Sequence, residues 1–411
     1  MAADSDPAAA ARVSVVVVSA RDAPRLLRCL AAVLRESGAV ALEIVVVLNA
    51  AEPALRDALE RELPAARIVA SQVALGFAAA VNLGVRHARG ELLQILHDDT
   101  IVHPGWLREL DAALAEHPRA GAAGSLLIGP DGAVQTAGHV IWRDGRTQPP
   151  WHDAPRPGEL DAVVVADYCA SSALLVRREA WEATGGFDEQ FHPVQYVDAD
   201  FAMALRRCGW ISISARRSHV FHERGGTGSH PLRMFAAQRN RERFVAKWAE
   251  DLLEQEPFAD DPAALERARD ATQRRARAVL ASPPSAATAP SRRAFGAPVE
   301  SDGERLARER DALLRDLDFK TAYVEWLEPF RVQADELWAR LVASERAAAE
   351  REAQLTAERD ALRARAQTLD AIEAGGWWRL RSRLLPLLRV ATRVRRRLLN
   401  AARAPARLPT P

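Results

Sequence analysis

The chain has 411 residues and a formal net charge of +1, enough for one large domain with appendages or for two domains. The near-zero balance conceals an asymmetry. After Glu373 no acid occurs, while Arg379, Arg381, Arg383, Arg389, Arg393, Arg395, Arg396, Arg397, Arg403 and Arg407 accumulate, so the tail is strongly basic and the remainder mildly acidic. Cys29, Cys169 and Cys208 are odd in number, scattered and without metal-ligand spacing, which excludes a disulfide framework and reads as reduced thiols. Met1 to Ala11 lacks the basic and apolar regions of a signal peptide, and no run approaches the roughly 18 apolar residues of a transmembrane helix.

Val13 to Ser19 is a β-branched run without polar interruption, as expected of a central parallel strand. Pro24 opens a stretch of helical spacing from Leu26 to Arg35, followed by a strand from Glu43 to Leu48 that ends at Asn49. Glu52 to Glu62 reads as a helix and Arg67 to Ser71 as a short strand. This alternation predicts a doubly wound α/β domain.

Gly76 to Arg86 reads as a glycine-entered helix with small residues on one side. Gly76 and the alanines allow a ligand close to the backbone, and Asn82 and Arg86 fall one turn apart where they can face a phosphate or a base; tight packing of helix on sheet explains the same residues equally well. Gly90 to Thr100 is a short, almost unbroken apolar run that ends in Asp98 and Asp99; it reads as a strand buried on both faces of a parallel sheet, with a buried helix left open by length alone. Open parallel sheets bind ligands beyond the carboxyl ends of their strands, where these acids would lie. Two like charges about 4 Å apart repel by about 4 kcal/mol at an effective dielectric of about 20, and a divalent cation bridging a diphosphate turns that repulsion into a site. A solvated loop after a strand is the alternative.

The stretch GFAAAVNLGVRHARGELLQILHDDT resembles the core of inverting family-2 glycosyltransferases, in particular bacterial rhamnosyl- and related surface-polysaccharide transferases. The resemblance continues in order through Pro104 to Trp106, Asp131 to Gly138, Leu174 to Phe191, Tyr196 to Trp210 and the region of His222, and covers about Val13 to Trp248. It implies the GT-A fold, an α/β, Rossmann-like, mostly parallel doubly wound sheet, here with a C-terminal helical extension. It also implies Mg²⁺ or Mn²⁺ on the diphosphate of a nucleotide-sugar donor, a lipid-linked or polysaccharide acceptor, and inversion without a covalent intermediate. By the same resemblance Asp99 and His222 are metal ligands, and Asn49, Gly76, Phe77, Asn82, Arg86 and Asp98 bind the donor. Asp198 is the general base, and Gly185, Gly186, Phe187, Asp188 and Asp200 belong to the acceptor site. Gly225 to Ser229 resembles a loop that closes over the donor.

The chain departs from the family pattern at four places: the first acid of the aspartate motif is His97, the acid before the base is Val197, a later Arg is Ala204, and the acid at the end of the second strand is Leu48. Bottom-up, Gly185 and Gly186 also read as a helix C-cap, Asp198 and Asp200 as acids favoured at a helix N-terminus, and His222 as a structural histidine. The departures keep a non-catalytic carbohydrate-binding scaffold open as a second reading. A nucleotidyltransferase is a third, although Ser19 to Arg25 is not a triphosphate loop.

The organisation expected is a disordered N-terminus (1–11), the transferase domain (12–250), a Pro/Ala/Ser-rich linker (251–300), coiled-coil-like helices (301–373) and a basic tail (374–411). Leu306, Leu313, Leu317, Val324 and Leu327 follow a heptad-like rhythm that Pro329 interrupts. Leu341, Ala348, Leu355, Leu362 and Leu369 resume it, predicting self-association, with a single solvated helix as the alternative. Trp377 and Trp378 before an Arg/Leu amphipathic stretch predict attachment to an anionic membrane surface, with a cytoplasmic protein peripheral to the inner membrane as the outcome. The leucine content and the lack of further interleaved aromatics argue against nucleic acid as the partner.

Overall fold

The computed structural model describes residues 12–20, 22–35, 40–151, 160, 163–223, 230–282, 301–342, 383–386, 389 and 392–393, with all their side chains but those of 230 and 328–342. The chain divides into two compact units, Met1–Ala334 and Asp335–Pro411. The N-terminal residues 1–11, the linker core 283–300, the loop Gly225 to Ser229, the heptads from Ala348 to Leu369 and nearly all of the basic tail lie outside the described residues.

In the first unit, β1 (Val13–Ser19), α1 (Ala23–Arg35), β2 (Leu42–Asn49), α2 (Pro53–Glu62), β3 (Arg67–Ser71), α3 (Phe77–His87) and β4 (Leu92–His97) alternate as the sequence pattern requires. Strands covered on both faces must be apolar throughout, and Val13, Val15, Val16 and Val17 are all at most 1% exposed. Next come β5 (Thr100–Val102), α4 (Trp106–Glu116), β6 (Ala120–Ile128), β7 (Val134–Thr136), β8 (Val140–Ile141), β9 (Thr147–Gln148) and β10 (Val163–Ala166). The unit continues with β11 (Ala173–Arg177), α5 (Arg178–Thr184), α6 (Val197–Arg207), β12 (Ile211–His222), α7 (His230–Lys247) and α8 (Pro262–Ala281), and α9 spans Asp302–Val342.

The main sheet has the order β10-β12-β6-β11-β4-β1-β2-β3. Strands β3, β2, β1 and β4 run parallel, as do β6 and β12, whereas β11 is antiparallel to both its neighbours and β10 to β12. The α/β class is the one expected, and the sheet is mixed. The winding reverses at β1, so the carboxyl ends of β1 and β4 open a crevice there. One face is covered by α1, α2 and α4, and the other by α3, α5 and α6 around Trp181, Phe187, Phe191 and Phe201. A Cβ at Gly84 would stand 2.5 Å from Val16 and 2.8 Å from Val47, so only glycine lets α3 lie flush on β1 and β2.

The stretch expected as a linker is folded in its first half. Asp261 caps α8 by accepting the Ala264 N–H at 2.7 Å, and Pro262 occupies the first turn, where its missing N–H costs nothing. Ala264, Leu265 and Ala268 then pack against Val140 and Trp142, and Arg275 pairs with the buried Asp167 at 2.8 Å. The first half of α9 also docks onto this unit. Ala312 is fully buried against Val47, Leu75, Ala79 and Leu83, and Phe319 is 3% exposed beside Phe235. The leucines of the predicted heptads, Leu306, Leu313 and Leu317, point outward instead and are 53–63% exposed. The period marks a face of the helix but not which face is covered. No helix among the described residues is long and apolar enough to cross a membrane.

Candidate active site

Strand β4 delivers His97, and a two-residue turn of Asp98 and Asp99 connects it to β5. Thr100 closes the turn by donating its hydroxyl to the His97 carbonyl at 2.7 Å. The end of strand β12, paired with β6 on one side, lies antiparallel to β5 on the other, with His222 opposite Thr100 and Phe221 opposite Ile101. The Glu223 N–H adds a bond to the Asp99 carbonyl at 3.0 Å. This short ladder brings His222 to the aspartate turn. Asp99 Oδ1 lies 3.3 Å from His222 Nε2 and 3.7 Å from His97 Nδ1, and one donor atom of each residue lies within 4.8 Å of the others.

Gln135 of β7, which the sequence pattern did not single out, orients His222. Its Nε2 donates to the His222 carbonyl at 2.7 Å and its Oε1 faces His222 Nδ1 at 2.9 Å. Because the amide nitrogen must face the carbonyl, the amide oxygen must face the ring. His222 Nδ1 therefore carries a proton, and Nε2 is the ring nitrogen directed at Asp99. His97 is wedged between the rings of Phe77 (5.0 Å) and His222 (5.8 Å), and burial pulls its imidazole down to about 4, leaving it neutral near pH 7. Two imidazoles and one carboxylate at these spacings are a donor set that fits a divalent cation. Asp98 turns the other way, to the crevice, and accepts the Ser19 hydroxyl at 2.6 Å. Burial, with Asp99 adding, pushes its carboxyl up to about 6 against that bond and Arg25.

Beside this cluster is a cavity of about 230 Å³ lined by Gln135, His139, Tyr168, Tyr196, Asp198 and His222, among others. Asp198 enters it from the first turn of α6. Its Oδ2 accepts the Ser171 N–H at 3.3 Å and its Oδ1 the Ala199 N–H at 3.0 Å, and burial nevertheless raises its carboxyl above the ordinary range. Gln195 and Tyr196, just before it, both hold positive φ (79° and 65°), at a cost of about 1–3 kcal/mol each. Asn240 of α7 secures them by donating to the carbonyls of Val194 and Gln195, and Tyr196 donates its hydroxyl to the Gly145 carbonyl. The opposite wall is His139 stacked on Tyr168 at 4.4 Å.

The remaining sequence-nominated residues are not among those lining this cavity. Asn82 is engaged by the loop after α5: its amide brackets Phe187, accepting that N–H at 3.0 Å and donating to that carbonyl at 2.8 Å. Gly185 and Gly186 close α5 with positive φ and bonds to Glu182 and Trp181, the helix C-cap that their sequence suggests. Phe187 is buried among Phe77, Trp181 and Phe201, and Lys247 holds Asp188 at 2.6 Å. Asp200 is bound by Lys247 and by Trp248 Nε1 at 2.7 Å. Asn49 accepts the Leu75 N–H at 2.8 Å and so fixes the approach to Gly76, whose positive φ opens α3. Arg86 sits in the last turn of α3, nine residues beyond Phe77 and hence about 13 Å along the axis.

Residues 14–178 match the family model described as Glycosyl transferase family 2. This segment is a family-2 glycosyltransferase domain. The mixed sheet, with helices on both faces and a helical C-terminal region, fits the GT-A arrangement that the sequence resemblance implies. The chain is 28% identical over 247 residues to an N-acetylglucosaminyl-diphospho-decaprenol L-rhamnosyltransferase of Mycobacterium tuberculosis, covering 54% of this chain and 80% of that one. It is 29% identical over 217 residues to an O-antigen biosynthesis protein of Myxococcus xanthus, covering 50% of this chain and 17% of the relative. The chain spans under a fifth of the length of the first curated relatives that it matches, 19% and 17%. Among solved structures it is similar to GalNAc-T7 with UDP, GalNAc and Mn²⁺, at 16% identity and a TM-score of 0.48, covering 60% of this chain and 50% of that one.

Proposed function

We propose that this glycosyltransferase moves a sugar from a nucleotide-diphosphate donor to a hydroxyl of a lipid-linked or polysaccharide acceptor, with inversion at the anomeric carbon. The observation that carries the reading is the shared cavity of Asp198 and His222, with Asp99 3.3 Å behind the latter. Inversion needs one carboxylate to take the acceptor proton while that oxygen attacks from the face opposite the leaving group. Asp198 is that base. Its raised proton affinity brings it nearer the working pH, and the Ser171 and Ala199 N–H groups fix its orientation. His97, Asp99 and His222 hold a divalent cation, which when bound neutralises charge on the departing diphosphate. Asp98 and Ser19, at the crevice between β4 and β1, face the donor side. Gly76 and Phe77 open α3 beside His97, while Asn82, Gly185, Gly186, Phe187 and Asp188 shape the acceptor side from behind.

The names of the two relatives support rhamnosyl transfer in surface-glycan synthesis as the finer reading. Attachment of the basic tail to an anionic inner-membrane surface would bring the site to a lipid-linked acceptor, and self-association through the heptads completes the proposal. The test is Asp198→Asn. Turnover should fall by about 10²–10⁴-fold, while binding of the matching nucleotide among UDP, dTDP and GDP stays unchanged by calorimetry. Turnover that survives the substitution, or a folded wild type that binds none of these nucleotides, would overturn the reading.

A further inference from the structure

We infer that the cavity between α8 and the strands β10 and β12 is a second ligand site, built for an acidic saccharide: a sugar ring that carries a phosphate or a carboxylate. The cavity has a volume of about 370 Å³, within the range of about 300–1,000 Å³ usual for small-molecule sites. His139 lines both this cavity and the catalytic one, so the two adjoin. On the transferase reading the occupant is a unit of the acceptor glycan other than the one that reacts. That role rests on the reading; binding at the site does not.

A local fault in the sheet supplies the key residue. On β6, Ser125 and Leu126 are consecutive, yet their partners on β12, Ala215 and His219, lie four residues apart. The three residues between, Arg216 to Ser218, therefore leave the ladder as a bulge, a device that re-aims side chains. Ser218 is buried, its hydroxyl 2.8 Å from that of Ser125, and Arg216 lines the cavity.

The cation aimed there has no counter-charge. Among the described residues the Arg216 side chain makes no ion pair or hydrogen bond, and its Nε is buried without a partner. Other partly buried guanidinium groups stand against acids, Arg206 against Asp167 and Arg25 against Glu223. The strongest charge acting on Arg216 is instead that of Arg269, which lines the same cavity from α8. Burial, with this repulsion adding, lowers the proton affinity of the Arg216 guanidinium. Two like charges left unpaired beside a cavity are costly, and an oxyanion between them removes the repulsion and supplies the missing acceptor. The planar fork of arginine matches a phosphate or a carboxylate.

The remaining lining suits a sugar as the carrier of that anion. Val140, Val164, Val165 and Ala166 form an apolar wall against which the C–H face of a ring can lie. Glu266, Asp270 and Gln273, on the helix that carries Arg269, offer acceptors and a donor for hydroxyls. A bare anion would use neither.

The test is titration of the full chain, without nucleotide or metal, with glucose 1-phosphate, glucuronate, glucose and inorganic phosphate, by calorimetry and saturation-transfer NMR. At least one of the two acidic sugars should bind at least about tenfold more tightly than glucose and than inorganic phosphate, and rising salt should weaken it. Arg216→Gln and Arg269→Gln should each lower that affinity by about 10–100-fold. Circular dichroism checks their folding, and because Arg269 is exposed its variant tests the site even where Arg216→Gln does not fold. Asp99→Ala and Asp198→Asn should leave the affinity unchanged. No binding of either acidic sugar, equal binding of glucose or of inorganic phosphate, or unchanged affinity in folded Arg269→Gln would overturn the proposal. So would a loss in Asp99→Ala or Asp198→Asn, which would place the probe in the catalytic cavity. A chain that binds an acidic sugar here but no nucleotide diphosphate would overturn the transferase reading and leave this site standing.

Discussion

Replacing Gln135 by leucine removes two hydrogen bonds at once, the 2.7 Å bond to the His222 carbonyl and the 2.9 Å bond to its ring. A typical hydrogen bond contributes about 0.5–1.5 kcal/mol net, so the pair is worth about 1–3 kcal/mol. The two shares fall on different properties. The carbonyl bond ties β7 to the end of β12, and its loss lowers stability. The ring bond fixes the tautomer and tilt of an imidazole 3.3 Å from Asp99, and its loss falls on cation affinity. Groups that orient metal-binding histidines in this way are worth about 10–100-fold in affinity. Calorimetric titration of Gln135→Leu with Mn²⁺ should show that loss, beside a decrease in unfolding free energy of only about 1 kcal/mol. Gln135→Glu restores an acceptor for Nδ1 and should recover most of the affinity. Mn²⁺ binding within twofold of wild type in folded Gln135→Leu would refute the claim that this side chain orients His222.

Arg275→Met leaves the buried Asp167 carboxylate without its ion pair and should cost about 3–5 kcal/mol in denaturant unfolding; a loss under 1 kcal/mol would return α8 to the status of a linker. Phe319→Ala empties the space between Phe235 and His192 and should cost about 3–5 kcal/mol, with faster proteolysis in α9 as a second readout. Asp200 gives a pH prediction. Burial pushes its carboxyl up to about 6 in spite of Lys247 and Trp248, so its stabilising effect is complete below the unfolded value near 4 and is lost as pH rises through about 6. Thermal unfolding of wild type from pH 4 to 7.5 should show that loss, and Asp200→Asn should flatten it; an unchanged slope would place the titration elsewhere.

The first half of the sheet was legible because its signals are local. A strand buried on both faces carries an unbroken apolar run, as β1, β2 and β4 do, although for β4 the length of the run leaves a buried helix as the alternative. Motif order singles out Asp99, Asp198 and His222, and the fold brings His222 to both of the others. His97 and Gln135 could not be read in the same way. Their meaning comes from the β5–β12 ladder and from β7, and no neighbouring residue announces either pairing. The sequence pattern also gives Asn82, Asp188 and Asp200 polar duties, but it cannot show that Phe187, Lys247 and Trp248 hold them. In α8 a proline-containing stretch that resembles a linker is an ordinary helix start, with Asp261 as the cap and Pro262 in the first turn. A helical period in α9 identifies its leucines as one face, yet Ala312 and Phe319 on the other side make the contacts.

The β5–β12 ladder has a kinetic consequence. It joins segments far apart in the chain, and the bond from Gln135 to His222 alone spans 87 residues. Closing such loops comes late, after local helices and neighbouring strands have formed. The third donor, His222, therefore joins His97 and Asp99 only late, and an ion that needs all three cannot template the collapse. An ion that binds only the finished arrangement stabilises it by mass action and acts on a contact absent from the transition state. Its signature would be slower unfolding at an unchanged folding rate, so that chelation shortens the life of the native chain without hindering its formation.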